Sequence, residues 1–119
     1  MRWPRFSPGI ILPLVLTGAA LSDDPKDPPM KIARLVHYSG PVQGVGFRAT
    51  TVDIARKYPV TGWVKNLDDG RVQLLVEGND EDVKKFLEAV RTCWKKNIEK
   101  ELTEDRKPTG EFKSFSVRF

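Results

Sequence analysis

Arg48 is the side chain best placed to do chemistry. It follows Gly44 and Gly46, two glycines one residue apart, in the stretch from Gly40 to Arg48 that reads GPVQGVGFR. Such glycines let a backbone enter φ > 0 conformations closed to most residues. An apolar, β-branched stretch from Ile32 to Tyr38 ends just upstream, and a helix-compatible stretch opens at Phe47. A glycine-bent loop between a strand and a helix N-terminus points several unpaired N–H groups into one small space, which suits an anion. Arg48 falls in the first helical turn, where a cation gains nothing from the helix dipole. An anion bound beside it reverses that balance, because guanidinium matches phosphate bidentately. The same spacing also fits a tight structural turn, since short Gly-x-Gly loops are common.

The other reactive side chains offer less. His37 is the sole histidine and Cys93 the sole cysteine, so no zinc constellation and no intrachain disulfide can form. His37 has the pKa range of a base, but near a strand end a surface role is expected. Cys93 lies beside an apolar helix face, where a buried or half-buried structural thiol is expected. Asp53, without a second carboxylate in context, reads as part of a solvated face. Trp63 reads as core or sheet cover. Lysine and arginine exceed aspartate and glutamate by 20 − 16, a net charge of +4. That mild excess suits small anionic substrates and is no nucleic-acid footprint without a cluster. The charged run from Arg91 to Lys100 is interrupted by Cys93, Trp94, Ile98 and Glu99, and reads as a solvated face.

A chain of 119 residues holds one domain at most and can bury a core without staples. Lys31 to Tyr38 is the first predicted strand, with Ile32 and either Leu35 or Val36 toward the core. Phe47 to Tyr58 is the first helix, with Phe47, Val52, Ala55 and one of Thr51 or Tyr58 on its inner face. Proline at position 59 ends it. Val60 to Leu67 and Arg71 to Glu77 form a hairpin around Asp68, Asp69 and Gly70. Val72, Leu74 and Val76 mark its core face, although Leu75 blurs the alternation. Asn79 or Asp80 caps a second helix, whose face carries Val83, Phe86, Leu87, Val90 and Trp94. Ile98 to Thr103 is a further strand, Glu104 to Glu111 a polar connection, and Phe112 to Phe119 a short closing strand. This order fits an α+β, ferredoxin-like βαββαβ sandwich: an antiparallel sheet, both helices on one face, and a short extra C-terminal strand.

Residues 1–29 differ in character. Arg2 and Arg5 precede an apolar run from Ile10 to Leu21, and small residues follow at the spacing a signal peptidase reads. Residues 1–22 are expected to be a signal peptide, 23–30 a charged, proline-rich linker, and 31–119 the domain. Export to the outside or the periplasm follows from that reading. If Met30 is instead the true initiator, the protein is cytoplasmic.

Three stretches resemble signatures of the acylphosphatase family. They are Gly44 to Arg48 (GVGFR), Gly62 to Val72 (GWVKNLDDGRV), and Pro108 to Phe112 (PTGEF) with Phe115, Val117, Arg118 and Phe119. The likeness covers roughly residues 30–119. It implies hydrolysis of the carboxyl–phosphate bond of small acylphosphates to a carboxylate and inorganic phosphate, with no metal or cofactor. By the same resemblance Arg48 holds the phosphate, backbone N–H groups of Gln43, Gly44, Val45, Gly46, Phe47 and Arg48 surround it, and Asn66 orients the attacking water. Arg118 is expected to be structural. Pro41 departs from the family, which carries a basic residue there, so a weaker field around the pocket is expected. The expected partners are a small acylphosphate and inorganic phosphate, with no nucleic acid, no stable membrane association once the signal is removed, and a monomeric state. A non-catalytic anion- or RNA-binding module on the same fold is the competing reading.

Overall fold

The computed structural model describes residues 30–119, so the expected signal segment and nearly all of the linker lie outside the described residues. The elements are β1 (Lys31–Ser39), α1 (Phe47–Ala55), β2 (Thr61–Asn66), β3 (Val72–Asn79), α2 (Asp80–Cys93), β4 (Lys100–Arg106) and β5 (Phe115–Arg118). The five strands form one sheet in the order β4–β1–β3–β2–β5. The first four pair antiparallel, and β5 runs parallel to β2 with Val64 opposite Val117. Both helices pack on one face, as the alternation of the strands and the helical stripe require.

The core lies between that face and the helices. Val36 and Tyr38 of β1 meet Val72, Leu74 and Val76 of β3, Val64 of β2, and the α2 stripe of Val83, Phe86, Leu87 and Val90. Leu35 is also buried, but on the opposite face of the sheet, so Val36 is the core-side member of the expected pair. The inner face of α1 is Phe47, Thr51 and Ala55, one residue per turn, with Val52 half-buried. Regular helix ends earlier than the expected Tyr58. Lys57 and Tyr58 donate to carbonyls three residues back, a tightened final turn, before Pro59 removes the next donor.

At α2, Asn79 occupies the N-cap position in extended conformation, yet its side chain makes no capping bond. Asp80, Glu81 and Asp82 in the first turn complement the dipole instead. Cys93 is exposed rather than buried. After Val90 the end of α2 turns to solvent except at Trp94, which stacks on Phe47 with centroids 5.0 Å apart, and Cys93 beside it is uncovered.

The fourth strand begins two residues later than expected and runs on to Arg106. Its pairing with β1 is a backbone matter (Ser39 opposite Lys100, Ala33 opposite Arg106) and needs no apolar side chains. Five of its seven residues are charged, and its outer edge bounds the sheet. Glu101 receives two hydrogen bonds from Arg91, at 3.0 and 2.7 Å, which tie this edge to α2.

To reach the far edge, the chain after β4 must cross the sheet on the face opposite the helices. Glu77 holds it there. This side chain is 5% exposed and accepts hydrogen bonds from Thr109 N, Thr109 Oγ1 and Gly110 N, all between 3.0 and 3.2 Å. A buried carboxylate must be satisfied in this way to be tolerated. Glu77→Ala strands those donors, so a loss of about 1.5–3 kcal/mol is expected. Urea unfolding measures it, and a midpoint matching wild type would refute the role. Beyond the crossing, Arg118 stacks its guanidinium on Trp63 at 5.0 Å and Phe112 at 5.7 Å, a structural part as expected. Among the described residues no helix is long and apolar enough to span a membrane.

Candidate active site

The loop between β1 and α1 is fixed at its entrance before it turns. Gly40, at φ 118°, bends the chain off the sheet, and Val42 N donates to Gly40 O at 2.7 Å. Asn97 Nδ2 donates to Pro41 O at 2.8 Å, and Val42 is fully buried. On the other side, Gln43 Nε2 donates to Leu67 O at 2.7 Å and to Arg71 O at 2.8 Å. The loop is thus moored to both the α2–β4 turn and the β2–β3 turn.

Gly44 and Gly46 then adopt φ of 76° and 85°. A Cβ at either would meet nothing within 4 Å, so the requirement is conformational and not one of space. Gly46 is the N-cap of α1, no side chain caps the helix, and its first turn holds no acid. The first N–H bonded inside the helix is that of Thr50, to Gly46 O at 3.0 Å. The N–H groups of residues 43–49 therefore donate to no acceptor among the described residues.

Two side chains complete the enclosure. Arg48 is half-buried, its guanidinium 4.9 Å from the centroid of the Phe119 ring and its Nη1 3.4 Å from Arg118 O. It forms no ion pair among the described residues. Asn66 is the last residue of β2, where the strand delivers it to the mouth of the loop. Its Oδ1 is buried and has no hydrogen-bond partner, an unusual state for an amide oxygen. Gly44, Gly46, Phe47, Arg48 and Asn66 line one cavity of about 280 Å³.

Of the expected loop residues, Gln43 and Val45 do not line that cavity. The Gln43 side chain turns to the hairpin, and Val45 sits 46% exposed at the loop tip. Ala49, Val117 and Phe119 are wall residues that the sequence reading missed. Ala49 follows from helix geometry, since N3 borders the same orphan donors as N1 and N2. Val117 and Phe119 arrive through the parallel β2–β5 pairing, for which no local signal exists.

The remaining reactive groups lie elsewhere. His37 is half-buried on the open face of the sheet, 3.0 Å from Gln73 Nε2, and burial followed by the Arg71 charge lowers its pKa. Asp53 pairs with Arg56 at 2.6 Å on the exposed side of α1, and Asp69 pairs with Arg71 at 2.8 Å in the hairpin turn. The hydrogen bonds from Arg71 hold the Asp69 carboxyl below its ordinary pKa. Among the described residues no cluster of three or more His, Cys, Asp or Glu could hold a metal.

The arrangement can hold a small anion through backbone donors and one guanidinium, beside an amide with an unused acceptor. A family model described as acylphosphatase matches residues 35–117. An acylphosphatase from Yersinia pseudotuberculosis is 38% identical over 91 residues, covering 75% of this chain and 98% of that protein. One from Bacillus velezensis is 58% identical over 52 residues, which cover 44% of this chain and 58% of the relative. The crystal structure of acylphosphatase from Bacillus subtilis is 33% identical and covers 76% of this chain and 100% of its own, with a TM-score of 0.65. Sequence, fold and pocket agree, and the chain belongs to the acylphosphatase family.

Proposed function

We propose that the cavity between Gly44, Gly46, Arg48 and Asn66 is where this acylphosphatase hydrolyses the carboxyl–phosphate bond of small acylphosphates. The observation carrying this reading is the convergence of unbonded N–H groups, the Arg48 guanidinium and the unbonded Asn66 amide oxygen on one cavity. The phosphoryl oxygens take the backbone donors of Gly44, Gly46, Phe47 and Arg48, which line the cavity, and Arg48 supplies the charge. Asn66 Oδ1 accepts a hydrogen bond from the attacking water while its Nδ2 donates to a phosphoryl oxygen. Water attacks phosphorus, the bond from phosphorus to the acyl oxygen breaks, and that electron pair leaves on the carboxylate. The second water proton passes to a phosphoryl oxygen, giving a carboxylate and dihydrogen phosphate. An acyl carboxylate is a good leaving group, so positioning and charge stabilisation suffice without a general acid.

The protein works in this reading as a monomer without a nucleic-acid partner. An RNA-binding sheet needs bare aromatic faces, whereas the Trp63 ring carries the Arg118 guanidinium. Phosphate release from benzoyl phosphate or acetyl phosphate in excess EDTA tests the assignment. Undiminished turnover is expected. A folded protein inert toward both substrates, or activity lost in EDTA and restored by Mg²⁺ or Zn²⁺, would overturn it.

A further inference from the structure

The Gln43 side chain belongs to the phosphate loop in sequence but turns away from the cavity. Its amide nitrogen has two hydrogens, and both are used within the β2–β3 turn, on Leu67 O at 2.7 Å and Arg71 O at 2.8 Å. Those two carbonyls are not otherwise unsatisfied. Leu67 O also accepts from Gly70 N at 3.2 Å, and Arg71 O from Leu67 N at 2.8 Å. The turn therefore closes by its own bonds, and Gln43 is not needed to form it. What Gln43 adds is a link between two segments 24 and 28 residues apart. Leu67 follows Asn66 directly, so one end of the link is the peptide next to the water-orienting amide. The other end is the backbone that opens the anion cradle. Among the described hydrogen bonds, no other joins residues 43–49 to this turn.

We propose that Gln43 is a positioning residue that sets the distance between the phosphate cradle and Asn66, and so the alignment of water with phosphorus. It touches neither substrate nor water through its side chain. This rests on the site proposed above. The geometry demands a donor with two hydrogens, at the length of a glutamine, facing two carbonyl oxygens. A carboxylate in its place would face both oxygens with no hydrogen to offer. A protonated carboxyl could restore one of the two bonds.

Two variants separate positioning from folding. Gln43→Met keeps length and volume but loses both bonds. Turnover is expected to fall by on the order of 10², the scale of an ångström-sized misplacement. The dissociation constant for inorganic phosphate is expected to stay within about threefold, because the N–H groups and Arg48 remain. Gln43→Glu is expected to be poorer still at pH 7, and to regain kcat as pH falls through the pKa of the introduced carboxyl. Wild type should show no such acid limb. The measurements are kcat and KM with benzoyl phosphate from pH 4 to 8, phosphate titration by calorimetry, and circular dichroism to confirm folding. A folded Gln43→Met variant with wild-type kcat would overturn the proposal, as would equal losses of turnover and phosphate affinity. So would a Gln43→Glu profile parallel to wild type. A wild-type protein inert toward acylphosphates would instead defeat the site assignment, and phosphate titration of the same variants would register that separately.

Discussion

Arg48→Ala is expected to weaken turnover and competitive inhibition by inorganic phosphate together. Among the described residues, the guanidinium is the only charged side chain lining the cavity. A hydrogen bond to a charged group contributes roughly 1.5–3 kcal/mol, so phosphate affinity should fall by one to two orders of magnitude. The transition state carries more charge on the transferring group, and losing one preorganised donor there costs on the order of 10²–10³ in rate. Folding should be nearly untouched. The protein contacts of Arg48 are a 3.4 Å bond to Arg118 O and a stack on Phe119, itself 99% exposed. Arg48→Lys keeps the charge and loses the fork, so it should recover binding more than rate. Phosphate titration beside kinetics decides the matter, and a variant that still binds phosphate normally would show that the guanidinium does not hold it.

Asn66→Ala is expected to lose turnover alone. The cradle and its charge remain, so phosphate binding persists, while the water loses its acceptor and turnover falls by about 10²–10³. Stability should not fall with it. Asn66 Oδ1 is buried without a protein partner, and an unsatisfied buried polar group costs about 1–3 kcal/mol. Removing the amide relieves that cost against a small loss of packing, so the variant's Tm should equal or exceed that of wild type. Near-normal turnover, or loss of phosphate affinity as complete as for Arg48→Ala, would show that Asn66 does not orient the water. A marked drop in Tm would show that the amide is satisfied in solution.

How much of this was legible beforehand depends on whether the signal was local. The cradle was, because two glycines and a helix start within one short stretch dictate their own backbone. The α2 stripe was, since helical periodicity survives any tertiary context. Asn66 was legible only through resemblance, as a lone asparagine at a strand end carries no chemistry of its own. The extension of β4 to Arg106 was not, because a ladder on β1 tolerates a polar sequence that propensity assigns to a loop. The parallel seat of β5 beside β2 was hidden as well. It depends on the Glu77 carboxylate meeting Thr109 and Gly110 across 32 and 33 residues. With it went Val117 and Phe119 as cavity walls. Gln43 was read for its N–H, while its amide looks the other way.

The charged outer edge at β4 bears on solubility. A seven-residue strand with one side unpaired is an invitation to a second copy. If two copies met there antiparallel about Thr103, Lys100 would oppose Arg106 and Glu101 would oppose Asp105. A parallel, in-register meeting would set every charge against its own kind. Like charges placed directly opposite across strands destabilise the pair, so these two registers are disfavoured, and the opposite sheet edge offers only the four residues of β5. The same polarity that disguised the end of β4 as a connection works against edge-to-edge zipping in those registers. That protection weakens as salt screens the charges.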